Sequence, residues 1–483
     1  MKQFVIEARQ RNVLFGLMAL GVICLIISFV SDPINDGHHL RFWTNLLQNV
    51  TFFTGIAFTA TFVTAATITV YAGWHTAFKR VWEAMSLFLI IGLVGILIVG
   101  VAGKMGIHNI YHWMDTANPD VANDKILQGK AGFLNFTFYL VAIFGFGGTW
   151  YWFARKFRAL SMEQDSANAD PTYPYYKKLK FFGAMFMPIA GFTSAAAIWL
   201  WMMSIDPHWY STMYAWYTTA SWWVSCVAIT ILLLIYLKSK GYYQEVTTEH
   251  LHDLGKFLFA FSVFWTYLWF SQYMLIWYAN IGEETIYFRQ RMGEFPVLFY
   301  GNIIMNFVLP FLILIRNDTK RKMGSLGFVA VLVLIGHWWD FFQMIKIGPY
   351  KTALEHAAAG HADGGVAHGG HEAAGHAVAQ AGHEAAQAAG HAIEGGGHEV
   401  VKAAMSATEE LQAINDANFF HYTPDMTIGY GIPGLPELGI FLGFCALFCY
   451  FIFLQLEKAA LVPKNDPYLE ETLHHQVEMH EAH

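Results

Sequence analysis

An all-α polytopic membrane fold with about ten spanning helices is what this sequence predicts. Two bulk observations and one pattern carry that reading. Only 13% of the 483 residues are charged, 55% are hydrophobic, and the apolar residues fall into blocks of spanning length. A soluble domain carries about 25% charged residues, so much of this surface must face something other than water. A spanning helix takes roughly 20 mostly apolar residues. Backbone polar groups in lipid must be satisfied within the segment, which makes each block a helix.

Taken in order, the blocks are 12–30, 46–72, 81–102, 131–154, 181–203, 213–237, 254–280, 296–315, 326–348 and 438–456. Lys2, Arg9 and Arg11 precede the first in the manner of a signal peptide, but the apolar run is long and no small-residue cleavage site follows. It therefore reads as a retained helix. Residues 1–350 hold spans one to nine, 351–437 an Ala/Gly/His-rich loop, 438–456 the tenth span, and 457–483 a tail. With loops numbered alternately, one face collects about nineteen Lys and Arg against about eight on the other. That bias places both termini in the cytoplasm and the long loop in the periplasm.

The loop carries His356, His361, His368, His371, His376, His383, His391 and His398 among Ala, Gly and Glu. Such a composition buries too little apolar surface to offset its ordering entropy. A mobile or partner-laid loop is expected, with metal scavenging the alternative. The tail histidines His474, His475, His480 and His483 read the same way. Cys24, Cys226, Cys445 and Cys449 all fall inside predicted helices, where they ease packing. There is no C-x-x-C-H for covalent haem and no cysteine ladder for an iron–sulfur cluster. A b-type haem needs two facing histidines at one depth, and His75 lies far from the level of His337.

Ionisable groups inside a bilayer are costly, so each is a functional candidate. His337 and Asp340 lie at i,i+3 on one helix face. Together they suit a proton relay or a quinone carbonyl, with a satisfied helix contact as the alternative. The second span holds Thr51, Thr54, Thr59, Thr61, Thr64, Thr67 and Thr69, used either for packing or to line a wet half-channel. Asp206 before Pro207 fits an N-cap with proline at the first helical position; with His208 it also suits the periplasmic mouth of a proton path. Glu83, beside Arg80, sits at the cytoplasmic mouth as a gate, a cap or a surface ion pair. His108 and His112, at i,i+4, are candidates for a quinone pocket on the periplasmic side. No metal site is assigned.

Several stretches carry a resemblance. FSQYMLIWYANIGEET at 270–285, SIDPHWYSTMY at 204–214, KAGFLNFTFY at 130–139, HNIYHWM at 108–114 and RVWEAM at 80–85 resemble the polysulfide-reductase-like (NrfD-like) membrane subunits of bacterial alternative complex III. The resemblance runs from the first helix to the tenth. It implies ten helices, with two four-helix bundles from helices two to five and six to nine. It also implies a quinol oxidoreductase of the bacterial inner membrane, in which this chain gives scaffold and a quinone pocket or proton half-channel. Electrons would pass through iron–sulfur clusters and c-type haems of partner subunits to a periplasmic cytochrome or terminal oxidase. Those partners are a sister NrfD-like subunit, an iron–sulfur subunit and multihaem cytochrome c subunits, with lipids around them and no nucleic acid. The rival class is a self-contained secondary transporter or ion-conducting protein. Its only sequence signal is Pro188 and Pro310 inside spans.

Overall fold

The computed structural model describes residues 3–34, 37–116, 118–167, 170, 172–362 and 424–475. Apart from the short helices Pro119–Asn123, Lys125–Lys130 and Asn317–Arg321, the α-helices are α1 Ala8–Val30, α2 Leu40–Thr69, α3 Lys79–Ser86, α4 Leu89–Lys104, α5 Phe136–Val141, α6 Gly148–Ser166, α7 Pro174–Trp201, α8 Met213–Ser239, α9 Thr248–Ala279, α10 Gly282–Gly293, α11 Pro296–Ile303, α12 Leu309–Leu314, α13 Met323–Ala362, α14 Leu435–Leu456 and α15 Leu469–Leu473. No strand occurs among the described residues. Nine helical stretches there are long and apolar enough to cross a membrane. The chain is an all-α multi-pass membrane protein.

The block at 131–154 is not among those nine. It is built as α5, a π segment Ala142–Gly147, and α6, one helical run from Phe136 to Ser166. A second π segment, Ile304–Val308, joins α11 to α12. A π turn adds one residue to a helix and locally re-aims its side chains.

Two helices form the centre. The helix α2 packs on α4 and α7, α8 packs on α9 and α13, and α2 and α8 meet each other. Between its phenylalanines, α2 carries small residues that let neighbours approach closely. A Cβ on Gly92 would lie 1.9 Å from Thr54 Oγ1, and one on Gly55 would overlap the Trp222 indole. The threonine hydroxyls turn back on their own helix. Thr54 donates to Val50 O at 2.6 Å, Thr61 to Ala57 O at 3.1 Å and Thr64 to Ala60 O at 2.8 Å. Thr51, Thr67 and Thr69 do the same, and Thr59 alone of the seven has a hydroxyl with no partner. At the periphery α1 lies against α14, where Gly21 and Gly443 meet so closely that a Cβ on Gly21 would sit 2.7 Å from Gly443 Cα.

Two expectations about the chain's later part need correction. The helix α13 runs on through Pro349 to Ala362, where the sequence reading begins a loop at 351. The alanines after Pro349 are strong helix formers, which accounts for the extension. Residues 363–423, with His368, His371, His376, His383, His391 and His398, lie outside the described residues, as do His480, His483 and the side chains of His356 and His361. The tail is also not free as far as His475. Asn465 donates to Gln164 O at 3.1 Å and Ala167 O at 2.7 Å, Thr472 to Trp74 O at 2.8 Å, and His475 pairs with Asp253 at 2.7 Å. Near the other chain end, the Ile6 amide donates to Glu457 at 2.6 Å, so both ends share one face. We call it the terminal face.

Candidate functional site

The functional candidates gather along one helix. Successive turns of α13 present Gly336, His337, Asp340, Gln343, Lys346 and Gly348; Gln343 bonds Asp340 of the same helix, and the others meet polar groups from other parts of the chain. The helix is buried there because its flanking Val333, Trp338, Phe341, Phe342 and Ile345 face the core at 0% exposure. The polar side chains are carried inward with them.

Asp340 is the centre of the group and has no exposed surface. One carboxyl oxygen, Oδ1, accepts from the Tyr217 hydroxyl, from Asn302 Nδ2 at 2.8 Å and from Gln343 Nε2 at 3.0 Å. Asn302 in turn accepts from Asn306 Nδ2 at 2.6 Å. The other oxygen, Oδ2, has no partner, nor do Gln343 Oε1 and Asn306 Oδ1. A turn away, His337 Nδ1 shares a hydrogen bond of 2.8 Å with Ser221, its ring edge meets Trp265, and Nε2 has no partner. Tyr217 and Ser221 lie one turn apart on α8, so a single face of α8 meets the His337 and Asp340 pair. No ion pair reaches Asp340 among the described residues. A buried carboxyl held by hydrogen bonds alone, with no cation beside it, has a proton as the simplest way to neutralise its charge.

Eight residues further along α13, roughly 12 Å at the helical rise, lies Gly348. Asp206 Oδ1 packs into the space left by Gly348. Arg291 Nη2 is 3.4 Å from Asp206 Oδ2, and its guanidinium lies 3.3 Å over the Tyr287 ring, which stacks on Trp209 at 3.9 Å. Burial pushes the Asp206 carboxyl above the usual carboxylate range, and Arg291 only partly offsets it. Tyr287 lies within electrostatic reach of both Asp206 and Asp340. His337, Asp340 and Asp206 are thus brought into one line. Asp206 is no helix N-cap, however: α8 starts at Met213, and the stretch after Pro207 is a turn.

Three candidates fall elsewhere. His208, half exposed, points away to Asp124. Asp124 itself caps residues 125–130 through the Ile126 and Leu127 amides; these bonds and that from His208 outweigh burial and hold its carboxyl low. His108 and His112 share no helix face, because α4 stops at Lys104 and Gly106 takes a φ of +73°. His108 donates from Nε2 to Val99 O at 2.9 Å and accepts the Ile110 amide at Nδ1 at 3.3 Å. Both ring nitrogens serve the backbone, so the imidazole has no free group for a quinone. Beyond this segment a cavity of about 460 Å³ is lined by Lys130, Phe133, Trp199, Met203, Trp209 and Tyr210.

Glu83 is neither a cap nor a surface pair. It is 3% exposed and accepts from Arg80 Nη1 at 2.7 Å, while Arg80 Nη2 reaches Asp165 at 2.6 Å and Arg158 stands 3.9 Å away. This buried cluster ties α3 to α6 near the terminal face. Between it and His337, α8 presents the buried apolar Val227, Ile229, Ile231 and Leu234 together with the buried Ser225 and Thr230. No hydrogen-bonded chain joins the two among the described residues.

Sequence reasoning missed a second buried cluster. Glu437 accepts from Arg41 at 2.8 and 3.0 Å and from Asn45 at 3.1 Å, with Lys346 Nζ at 3.6 Å. Lys346 and Glu437 are both 0% exposed. Lys346 inside an apolar span was the available signal, since a lone lysine there needs an acidic partner. Tyr217, Asn302 and Asn306 gave none, because single polar residues in apolar spans are ordinary. No family model matches the chain, and no curated protein does.

Proposed function

We propose that this chain is an integral membrane subunit of a respiratory quinol oxidoreductase of the alternative-complex-III kind, one of its two NrfD-like subunits. Its own part is scaffold and a proton half-channel, which enters past Asp206 and Arg291 and ends at Asp340 and His337. The observation that carries this is the buried Asp340 carboxyl, bound by Tyr217, Asn302 and Gln343 and compensated by no cation. A carboxyl in that position is a costly feature for a scaffold and a useful one for moving a proton. The half-channel opens on the face opposite the terminal face; with both termini cytoplasmic, that is the periplasmic side of the bacterial inner membrane.

The motifs at 270–285 and 204–214 support the family reading. The pairing of α2 with α4 and α7, repeated by α8 with α9 and α13, supports two four-helix bundles, the run from Phe136 to Ser166 being the tenth crossing. Quinol is the substrate of the complex. Electrons travel through iron–sulfur clusters and c-type haems of the partner subunits to a periplasmic cytochrome or terminal oxidase. The second reading, a self-contained secondary transporter, is favoured by the two π segments that interrupt helices.

Gentle solubilisation followed by mass spectrometry separates the two. Co-purification with an iron–sulfur subunit, multihaem cytochromes c and a second NrfD-like chain is the expected result. A chain that purifies alone contradicts membership of a complex and favours the transporter.

A further inference from the structure

We propose that the pocket around Asp340 binds a small monovalent cation, Na⁺, at the same carboxyl oxygen that takes a proton. The inference rests on the reading of Asp340 as the buried end of an ion path, and adds which ions that path accepts.

Donors and acceptors around the carboxyl do not balance. Three donors converge on Asp340 Oδ1: the Tyr217 hydroxyl, Asn302 Nδ2 and Gln343 Nε2. Each amide that gives its N–H₂ to this oxygen must turn its own oxygen elsewhere. For Asn302 the turned oxygen is taken up by Asn306 Nδ2 at 2.6 Å, and the need passes to Asn306 Oδ1. Three oxygens are left without a donor: Asp340 Oδ2, Gln343 Oε1 and Asn306 Oδ1, on residues that are 0%, 4% and 0% exposed. Against them stand His337 Nε2, one turn away on α13, and the Trp265 indole N–H, beside Tyr217 and close to the carboxyl. If that N–H closes on Oδ2, the two amide oxygens still remain. Native interiors rarely leave buried acceptors unpaired in a cluster.

A cation meets this need directly. The ligands are all oxygen, one carboxylate and two amide carbonyls, which suits a hard ion rather than a soft one. They carry a single negative charge. One positive charge neutralises it, whereas a divalent ion would leave a net charge in a dry interior. No resident cation competes for the role. Arg291 is held by Asp206, and Lys346 by Glu437 and the Gly429 carbonyl. His337 bonds Ser221 on α8. The remaining titratable groups facing the carboxyl are Tyr214 and Tyr217 from α8 and Tyr287 from α10. Asn306 Oδ1 packs directly against Gly336, where a Cβ would lie 2.2 Å from it.

Because the carboxylate must be deprotonated to bind a metal, Na⁺ and H⁺ compete and the affinity for Na⁺ falls as the pH is lowered. The test is the thermal unfolding midpoint of the purified complex in NaCl and in choline chloride at equal ionic strength, with equilibrium binding of radioactive ²²Na⁺ alongside. The expected result is a higher midpoint in NaCl, by several degrees near about pH 8 and less toward about pH 5.5. Saturable ²²Na⁺ binding should accompany it, and both effects should vanish in Asp340→Asn. Gln343→Leu, which leaves the carboxyl in place, should weaken Na⁺ binding several-fold. Equal midpoints in the two salts with no bound ²²Na⁺ overturn the proposal, as does Na⁺ binding that Asp340→Asn leaves unchanged. Proton movement dependent on Asp340 but indifferent to Na⁺ would defeat the cation site and leave the half-channel standing.

Discussion

Asp206 rests against α13 in the place where Gly348 has no side chain: a Cβ on Gly348 would lie 2.1 Å from Asp206 Oδ1. That contact fixes the carboxyl beside Arg291 and on the same helix that carries Asp340 two turns deeper. Gly348→Ala tests it. Ala is the better helix former by about 1 kcal/mol, while overpacking costs about 1–3 kcal/mol. A net loss of stability is therefore expected, with Asp206 pushed off Arg291. Proton movement per electron should fall several-fold while the complex still assembles. A variant more stable than the wild type, with unchanged proton movement, would show that the close approach is incidental.

Glu437 is shared by two cations, Arg41 and Lys346, with no water-exposed surface of its own. Glu437→Gln leaves both positive charges without their carboxylate. Removing one partner of a buried ion pair costs about 3–5 kcal/mol, so a lower yield of folded protein and a large drop in unfolding midpoint are expected. Adding Lys346→Met should recover part of that loss, because one of the stranded charges is gone. A midpoint within a degree of wild type for the single variant would mean the cluster is not holding α2, α13 and α14 together.

His108 gives a pH dependence with a definite sign. Burial lowers its pKa from 6.5 to about 4, and the neutral ring bridges Val99 O and the Ile110 amide. Between these two values the unfolded chain binds a proton that the folded chain does not, so stability rises with pH through that window and is lost on acidification. The full span corresponds to about 3 kcal/mol. His108→Gln should unfold at a midpoint less steeply dependent on pH between 6.5 and 4. Parallel slopes for the two proteins would remove His108 from the acid response.

The sequence made the spans legible because hydropathy is a property of consecutive residues, and a block long enough to cross lipid shows wherever it packs. His337 and Asp340 were legible for the same reason: i,i+3 on a helix fixes a shared face before any tertiary contact is known. What lay hidden were the partners. Tyr217 and Asn302 reach Asp340 from two other helices, with Asn306 behind Asn302, and spacing along the chain carries no information about such meetings. Glu83 shows the opposite error. Beside Arg80 it read as a residue at the membrane edge, yet Asp165, more than eighty positions later, folds over the pair and the cluster is buried. His108 and His112 misled because i,i+4 has meaning only on a helix, and Gly106 ends that helix just before them.

The claim at the centre is that Asp340 carries protons for the complex. The direct measurement is proton movement by the complex reconstituted into liposomes, driven by quinol oxidation, with Asp340→Asn beside the wild type. The variant keeps an amide of the same shape, able to hold Tyr217 and Gln343 but not to ionise. Electron transfer is expected to continue while proton movement through this subunit falls to background. Unchanged proton movement at normal turnover would contradict the account.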